Sequence, residues 1–252
     1  MNGKLLRPLA FAGALILSAA LGAGIYAWIA RVTAPQLAGA TIRQYLLDHP
    51  EVLPEAMDRL QARENARAEQ AQANAQTAVG SQIQALTTPY AGAWAGNPNG
   101  DVTVVAFLDY ACGYCRASLP GIAELLARDP GVRIVYREYP VLGPESVVAA
   151  RWALAAAEQG KFRQFHEALY AAGSPTDAAI GEASAKAGLD KPAAARAAAS
   201  KPIEGEILRN RQLGEKLAMT GTPSWVVGGR LLYGAQTYQG LAAAVAAARG
   251  GK

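Results

Sequence analysis

Residues Val102 to Leu108, Val-Thr-Val-Val-Ala-Phe-Leu, run apolar and β-branched for the length of one strand, and Cys112-Gly113-Tyr114-Cys115 begins four residues after they end. A run without alternation belongs to a strand covered on both faces. Ala117 to Arg128 follows in helical pattern, with Leu119, Ile122, Leu125 and Leu126 on one side, and Pro130-Gly131 stops it. Val132 to Tyr136 is the next strand. Strand, helix and strand within about forty residues make a βαβ unit, which predicts that the two strands are parallel. The chain is thereby directed to an α/β architecture around a buried sheet. Both cysteines fall where the first strand gives way to the helix.

From Pro144 to Met219 the pattern is helical, broken at Gly160, Gly173-Ser174-Pro175, Gly188 to Pro192 and Lys201-Pro202. Pro223 to Val227 gives a strand, Gly228-Gly229 a hairpin turn, and Arg230 to Tyr233 the returning strand. Gln236 to Arg249 closes the chain as an alanine-rich helix. The predicted order is βαβ, a helical insertion over 144–219, then ββα. Upstream, Tyr90 to Trp94 reads as a short edge strand and Asn97-Pro98-Asn99-Gly100 as a turn. Thr41 to Asp48 reads as a short helix ended at His49-Pro50. Glu51 to Leu86 reads as one long helix, supported by Glu55 and Arg59 at i,i+4. Its apolar stripe, Leu53, Met57 and Leu60, soon gives way to alanine. A helix with so little to bury is either a solvated spacer or half of an oligomer contact.

Lys4 and Arg7 precede an uncharged stretch from Pro8 to Ala30. As a helix it would rise about 34 Å, enough to cross a bilayer, with the preceding charges on the cytoplasmic side. A cleavable signal peptide with Ser18-Ala19-Ala20 at its cleavage site is the other reading. Both export the rest of the chain. The predicted organisation is a signal anchor or signal peptide over 1–31, an N-terminal helical region over 33–86 that would serve oligomerisation, and an α/β domain over 87–252.

Of the 252 residues, 51% are hydrophobic and 17% charged, which excludes a disordered chain. The formal charge is +4, of which Lys4, Arg7 and Arg31 supply three, and no acid falls within 1–31. The body is close to neutral and carries no basic stripe interleaved with aromatics, so nucleic acid is not an expected partner.

The two cysteines are the only ones, three positions apart, and a bridge at that spacing cannot staple a fold. A zinc site would need further ligands, and His49 and His166 stand alone. Haem attachment would need histidine after Cys115, where Arg116 stands. At a helix start, by contrast, the first turn brings two sulfurs spaced i,i+3 within disulfide reach. The free N–H groups and the positive dipole end there favour a thiolate, the nucleophile of disulfide exchange. Cys112, nearer the start, is the expected attacking thiol, and Cys115 the resolving one.

The segment Phe107-Leu108-Asp109-Tyr110-Ala111-Cys112-Gly113-Tyr114-Cys115 resembles the active-site segment of the DsbA-like branch of the thioredoxin superfamily. Thr220-Gly221-Thr222-Pro223 resembles that superfamily's cis-proline loop. Tyr136 to Pro140, Phe162 to Leu169 and the insertion also resemble segments of this branch, and Gln44 to Leu53 resembles the N-terminal region of ScsC-like proteins. The resemblance covers about residues 41–249. It implies a thioredoxin-like fold with a helical insertion, and a redox-active disulfide between Cys112 and Cys115. It also implies a substrate-binding loop at Thr222 and Pro223, and no metal or organic cofactor. The implied partners are cysteine-containing exported proteins and a membrane or periplasmic redox partner. Gly113-Tyr114 matches the dipeptide of DsbC-type isomerases and many ScsC-like proteins, so isomerase and oxidase both stand. Many thioredoxin-like proteins carry a buried acid six residues before the first cysteine. Here Ala106 takes that place, with Asp109 and Glu138 as neighbouring acids and His166 read as a helix-packing residue. ScsC-like proteins are linked to copper tolerance, which gives a non-enzymatic alternative, a Cu(I)-binding module using the same two thiols.

Overall fold

The computed structural model describes residues 41–250, together with 21, 23–26, 28 and 39. Contacts divide the chain into two units, 1–67 and 68–252. In the first unit the described residues are mostly helical, including 41–48. They expose Ile42, Tyr45, Leu47, Leu53, Met57 and Leu60. Among the described residues no helix is long and apolar enough to cross a membrane, and most of the expected span 8–30 lies outside them.

The long helix α1 runs over Val52–Thr87, within two residues of the sequence reading. Its last third departs from both expected roles. Ala75, Val79 and Leu86 are buried, and Val79 and Leu86 join Val105, Phe107 and Val135 in one apolar cluster. Gln76 also pairs with backbone, donating to Gly229 O at 2.5 Å and accepting from Leu231 N at 3.2 Å. Residues 68–86, grouped by sequence with the N-terminal region, therefore pack within the larger unit.

That unit is built on five strands, β1 Trp94–Gly96, β2 Val102–Leu108, β3 Val132–Glu138, β4 Ser224–Val227 and β5 Arg230–Tyr233, in the order β1-β3-β2-β4-β5. β2 and β3 are parallel, as the βαβ spacing requires, and the other pairings are antiparallel. The edge strand lies later than the sequence indicated. Ala91, at φ 44°, and Gly92 form a turn held by Gly92 N–H to Ala157 O at 3.3 Å, so pairing begins at Trp94. Gly228 and Gly229, at φ 55° and 83°, make the β4–β5 turn in a conformation that favours glycine.

Alternation along β2 and β3 splits the core. Val104, Ala106, Leu108, Ile134 and Tyr136 face one side; Val105, Phe107 and Val135 face the other. The first face is covered by α2 Gly113–Arg128 and α8 Tyr238–Gly250, through Ile122, Leu125, Leu241 and Val245. The insertion contributes α3 Pro144–Glu158, α4 Phe162–Ala171, α5 Asp177–Lys186 and α6 Lys191–Ala198 to the same core. The second face is covered by the end of α1 and by Leu213 and Leu217, at the end of α7 Lys201–Lys216. The architecture is a thioredoxin-like α/β fold with a helical insertion.

Candidate active site

The buried strand β2 ends at Leu108, and a short turn delivers Cys112 to the N-cap of α2. Apolar periodicity alone places the helix start at Ala117. It begins at Gly113 because its first turn is spent on the cysteine pair rather than on core contacts. Cys112 Sγ accepts the Cys115 backbone N–H at 3.3 Å, one of the orphan donors of a helix start. Negative charge on this sulfur would face that donor and the positive end of the helix. Cys112 is 5% exposed and Cys115 is fully buried, and both are free thiols. Burial pushes the Cys115 thiol well above its ordinary range, and the backbone at Asp109 offsets this in part. The two sulfurs thus differ in setting, Cys112 at the helix start with a backbone donor and Cys115 fully buried.

Thr222-Pro223 lies against the pair. The bond is cis, and the Cys112 thiol donates to Thr222 O at 3.2 Å. The Thr222 hydroxyl is buried and has no partner within hydrogen-bond geometry. All four expected site residues, Cys112, Cys115, Thr222 and Pro223, are therefore brought together from segments more than a hundred positions apart. Gly113 and Tyr114 open the helix beside them, and Tyr114 is 71% exposed, an aromatic surface next to the sulfurs.

Ala106 is fully buried, opposite Tyr136 on β3 and Trp225 on β4, so no acid stands there. The two neighbouring acids have different employment. Asp109 Oδ1 accepts from Ala111 N at 2.8 Å, and Oδ2 accepts from Val141 N and Leu142 N at 2.8 and 3.0 Å. It ties the cysteine loop to the loop after β3. Glu138 pairs in register with Leu108 and shares the Ala106 face of the sheet, one strand across and nearer the cysteine end. Burial and the Asp109 charge hold its carboxyl well above the usual range, against the opposing effect of its bond to Tyr110.

Several supports carry no pattern in the sequence. The Tyr110 hydroxyl is within hydrogen-bond distance of Glu138 Oε1 (3.2 Å) and His166 Nδ1 (2.9 Å). The Tyr170 hydroxyl donates to Asp109 O at 3.0 Å. Arg116 Nε donates to Tyr170 O at 3.1 Å, and its Nη2 to Gly173 O. These bonds clasp the cysteine loop to α4. His166 is a packed residue, as its helical setting suggested. It lies among the rings of Tyr110, Tyr136, Phe162 and Tyr170, and burial lowers its pKa to about 3. Among the described residues no group of three or more His, Cys, Asp or Glu gathers as a metal site.

Residues 103–246 match the family described as DSBA-like thioredoxin domain, and residues 39–67 match the copper resistance protein ScsC N-terminal domain. A thioredoxin-like oxidoreductase from Silicibacter pomeroyi DSS-3 is 41% identical, with a TM-score of 0.61 over 62% of this chain and 91% of that one. The thiol-disulfide exchange protein alpha-DsbA2 from Wolbachia pipientis is 30% identical, with a TM-score of 0.62 over 72% of this chain and 97% of that one. Among curated proteins, the Na(+)/H(+) antiporter NhaA 3 of Salinispora tropica is 33% identical over 152 residues. That stretch is 58% of this chain but only 23% of the antiporter, so the likeness concerns a minor part of that protein. With more than half of its length matched, cysteine loop and Thr222-Pro223 included, the chain belongs to the DSBA-like thioredoxin domain family.

Proposed function

We propose that the protein is an extracytoplasmic thiol-disulfide oxidoreductase acting on cysteine-containing exported proteins, with Cys112 as nucleophile and Cys115 as resolving thiol. The observation that carries this reading is the placement of Cys112 Sγ at the N-cap of α2, accepting the Cys115 N–H, beside the fully buried Cys115. In the reductive direction the Cys112 thiolate attacks one sulfur of a substrate disulfide. That bond breaks, a mixed disulfide forms, and the other substrate sulfur leaves as thiolate. Cys115 then gives up its proton and attacks Cys112, releasing the second substrate sulfur as thiolate. The pair is oxidised and the substrate reduced by two electrons. Oxidation of a substrate dithiol runs the same steps backward, and a membrane or periplasmic redox partner resets the pair. In isomerisation the mixed disulfide is instead attacked by another substrate thiol, and the pair ends as it began.

Thr222 and Pro223 form the substrate-binding loop, supported by the approach of Thr222 O to Cys112 Sγ. A substrate segment lying there would meet Cys112 on one side and the exposed ring of Tyr114 on the other. Residues 8–30 hold the chain at the inner membrane with the N-terminus cytoplasmic, by the charge and length argument given above. The part of 33–86 ahead of residue 68 joins copies of the chain; the exposed Leu53, Met57 and Leu60 support this. Several cysteine pairs in one particle raise the effective concentration of a second pair at a mixed disulfide, which favours isomerase over oxidase. The deciding assay sets repair of scrambled ribonuclease against oxidation of the reduced enzyme. Repair faster than oxidation at equal pair concentration is expected, and oxidation without repair would reverse the assignment.

A further inference from the structure

When a substrate thiolate attacks Cys112 of the oxidised pair, Cys115 leaves as a thiolate. That charge forms on a sulfur with no exposed surface. A buried, unpaired charge is costly, so the step calls for a proton from inside the fold. Most polar groups around the pair are already committed. Asp109 uses both carboxylate oxygens on three backbone N–H groups. Tyr110 gives its proton to Glu138 Oε1 at 3.2 Å, and Tyr170 gives its own to Asp109 O at 3.0 Å. With Tyr110 donating to Glu138, His166 Nδ1 is left to donate to the Tyr110 oxygen, at 2.9 Å. Arg116 donates to Tyr170 O and Gly173 O. The Thr222 hydroxyl is an alcohol, which can hydrogen-bond a thiolate but is too weak an acid to protonate it.

Glu138 differs from all of these. It is 2% exposed, its carboxyl takes one hydrogen bond, at Oε1, and Oε2 has no partner among the described residues. Among those residues no ion pair includes it. A carboxyl buried without a cation rests in its acid form, and the free oxygen is where its proton sits. The raised pKa noted above agrees. Its place in the sheet is also apt. Glu138 lies in register with Leu108, on the face whose core includes Tyr110, Cys112 and Cys115. The rings of Tyr110 and Tyr170 are 4.7 Å apart, and Asp109 O accepts both the Tyr170 hydroxyl and the Cys112 N–H. This pair of phenols links the carboxyl to the base of the cysteine turn.

We infer that Glu138 is the internal acid of the cysteine pair, giving its Oε2 proton to Cys115 Sγ as the Cys112–Cys115 bond breaks. The inference rests on Cys115 being the resolving thiol. The substrate sulfur bonds to Cys112, the electron pair of the broken bond goes to Cys115, and the proton follows from Glu138. The carboxylate left behind takes its next proton from water. In the opposite direction it removes the Cys115 proton before that sulfur attacks Cys112. The titratable groups facing it are Asp109 and Tyr110 from the turn before α2, Cys115 from α2, Tyr136 from β3, and His166 and Tyr170 from α4. From α7 the neutral Asn210 donates to its backbone oxygen at 3.1 Å.

The test follows single-turnover reduction of the oxidised full chain by dithiothreitol from about pH 5 to 10, each rate divided by the concentration of dithiothreitol thiolate. The parent should hold a level rate at low pH that falls as Glu138 ionises. Glu138→Gln, which keeps the size and an acceptor for Tyr110, should lower that level about a hundredfold, the lower end for a positioned acid, and abolish the fall. Glu138→Asp should keep the fall. Tyr110→Phe removes a bond that favours the carboxylate, so the fall should move to higher pH with the low-pH level kept. Glu138→Gln at the parent's rate, or slower with the parent's pH dependence, would overturn the acid role. Should that variant not fold, an unmoved fall in Tyr110→Phe would overturn it equally. A parent that dithiothreitol does not reduce would instead overturn the thiol-exchange reading, and this inference with it.

Discussion

At Cys112 and Cys115 local sequence and tertiary structure say the same thing. Spacing and the preceding strand were enough to place both sulfurs on the first turn of a helix, and α2 begins there. What the sequence could not convey is how the pair is supported. Ala106 marked the absence of an acid, but the employment of Asp109 and Glu138 depends on loops thirty residues away. Glu138 gives a pH prediction with a definite sign. Its folded pKa is raised, so the stability it contributes is complete below its unfolded value and is lost as pH rises through the folded one. Glu138→Gln should therefore gain on the parent in denaturant midpoint as pH rises from about 5, and a difference that shrinks with pH would contradict the burial. His166 acts in the opposite sense. Its pKa is lowered to about 3, so its stabilisation is full above its unfolded value and is lost as pH falls. The loss between pH about 6.5 and 3 is on the order of 5 kcal/mol. His166→Gln should flatten that part of the acid-unfolding profile.

Among the elements, β2, β3, the hairpin and the insertion were legible because periodicity and turn residues are local signals. Two features were not. The edge strand moved to Trp94 because a left-handed Ala91 and the approach of Gly92 to Ala157 leave no sequence trace. The end of α1 reads as an alanine-rich solvated helix, yet Val79 and Leu86 are buried on the sheet. Two apolar positions at i,i+7 are too sparse to be read as a stripe. Arg137 is the other half of that docking. It is 4% exposed and donates to Leu86 O at 3.0 Å, to Thr88 O at 2.5 Å and to Ala85 O. It also pairs with Glu206 at 2.8 Å. A guanidinium at a helix C-terminus satisfies carbonyls that have no helical donor. Arg137→Met keeps much of the volume but removes one of the two guanidinium partners of the buried Glu206, leaving Arg209 at 2.8 Å, and takes the donor from the Ala85, Leu86 and Thr88 carbonyls. It should destabilise the domain by about 3–5 kcal/mol, measured by chemical unfolding, with the loss reduced when Glu206→Gln is added. Equal losses in the single and double variants would mean that the pair is not coupled.

For the whole molecule, the larger unit carries the sheet and both cysteines, and its fold was readable almost from end to end. The smaller unit was readable as helix, and as either a solvated spacer or half of an oligomer contact. Leu53, Met57 and Leu60 are 51%, 70% and 50% exposed, which fits a face covered by another copy of the chain. Replacing all three by serine should lower the mass seen by light scattering to that of a monomer, while disulfide exchange by each cysteine pair continues. An unchanged mass would remove these residues from the assembly, and with it the main support for isomerase over oxidase.

The roles of the two sulfurs are tested most directly by trapping. The full chain is incubated with a disulfide-containing protein substrate as Cys112→Ser and as Cys115→Ser, quenched with acid, and the covalent adducts are identified by mass. Cys115→Ser should accumulate a mixed disulfide at Cys112, because the thiol that would release it is gone, and Cys112→Ser should accumulate none. Adducts formed only by Cys112→Ser, through Cys115, would contradict the assignment of nucleophile and resolving thiol.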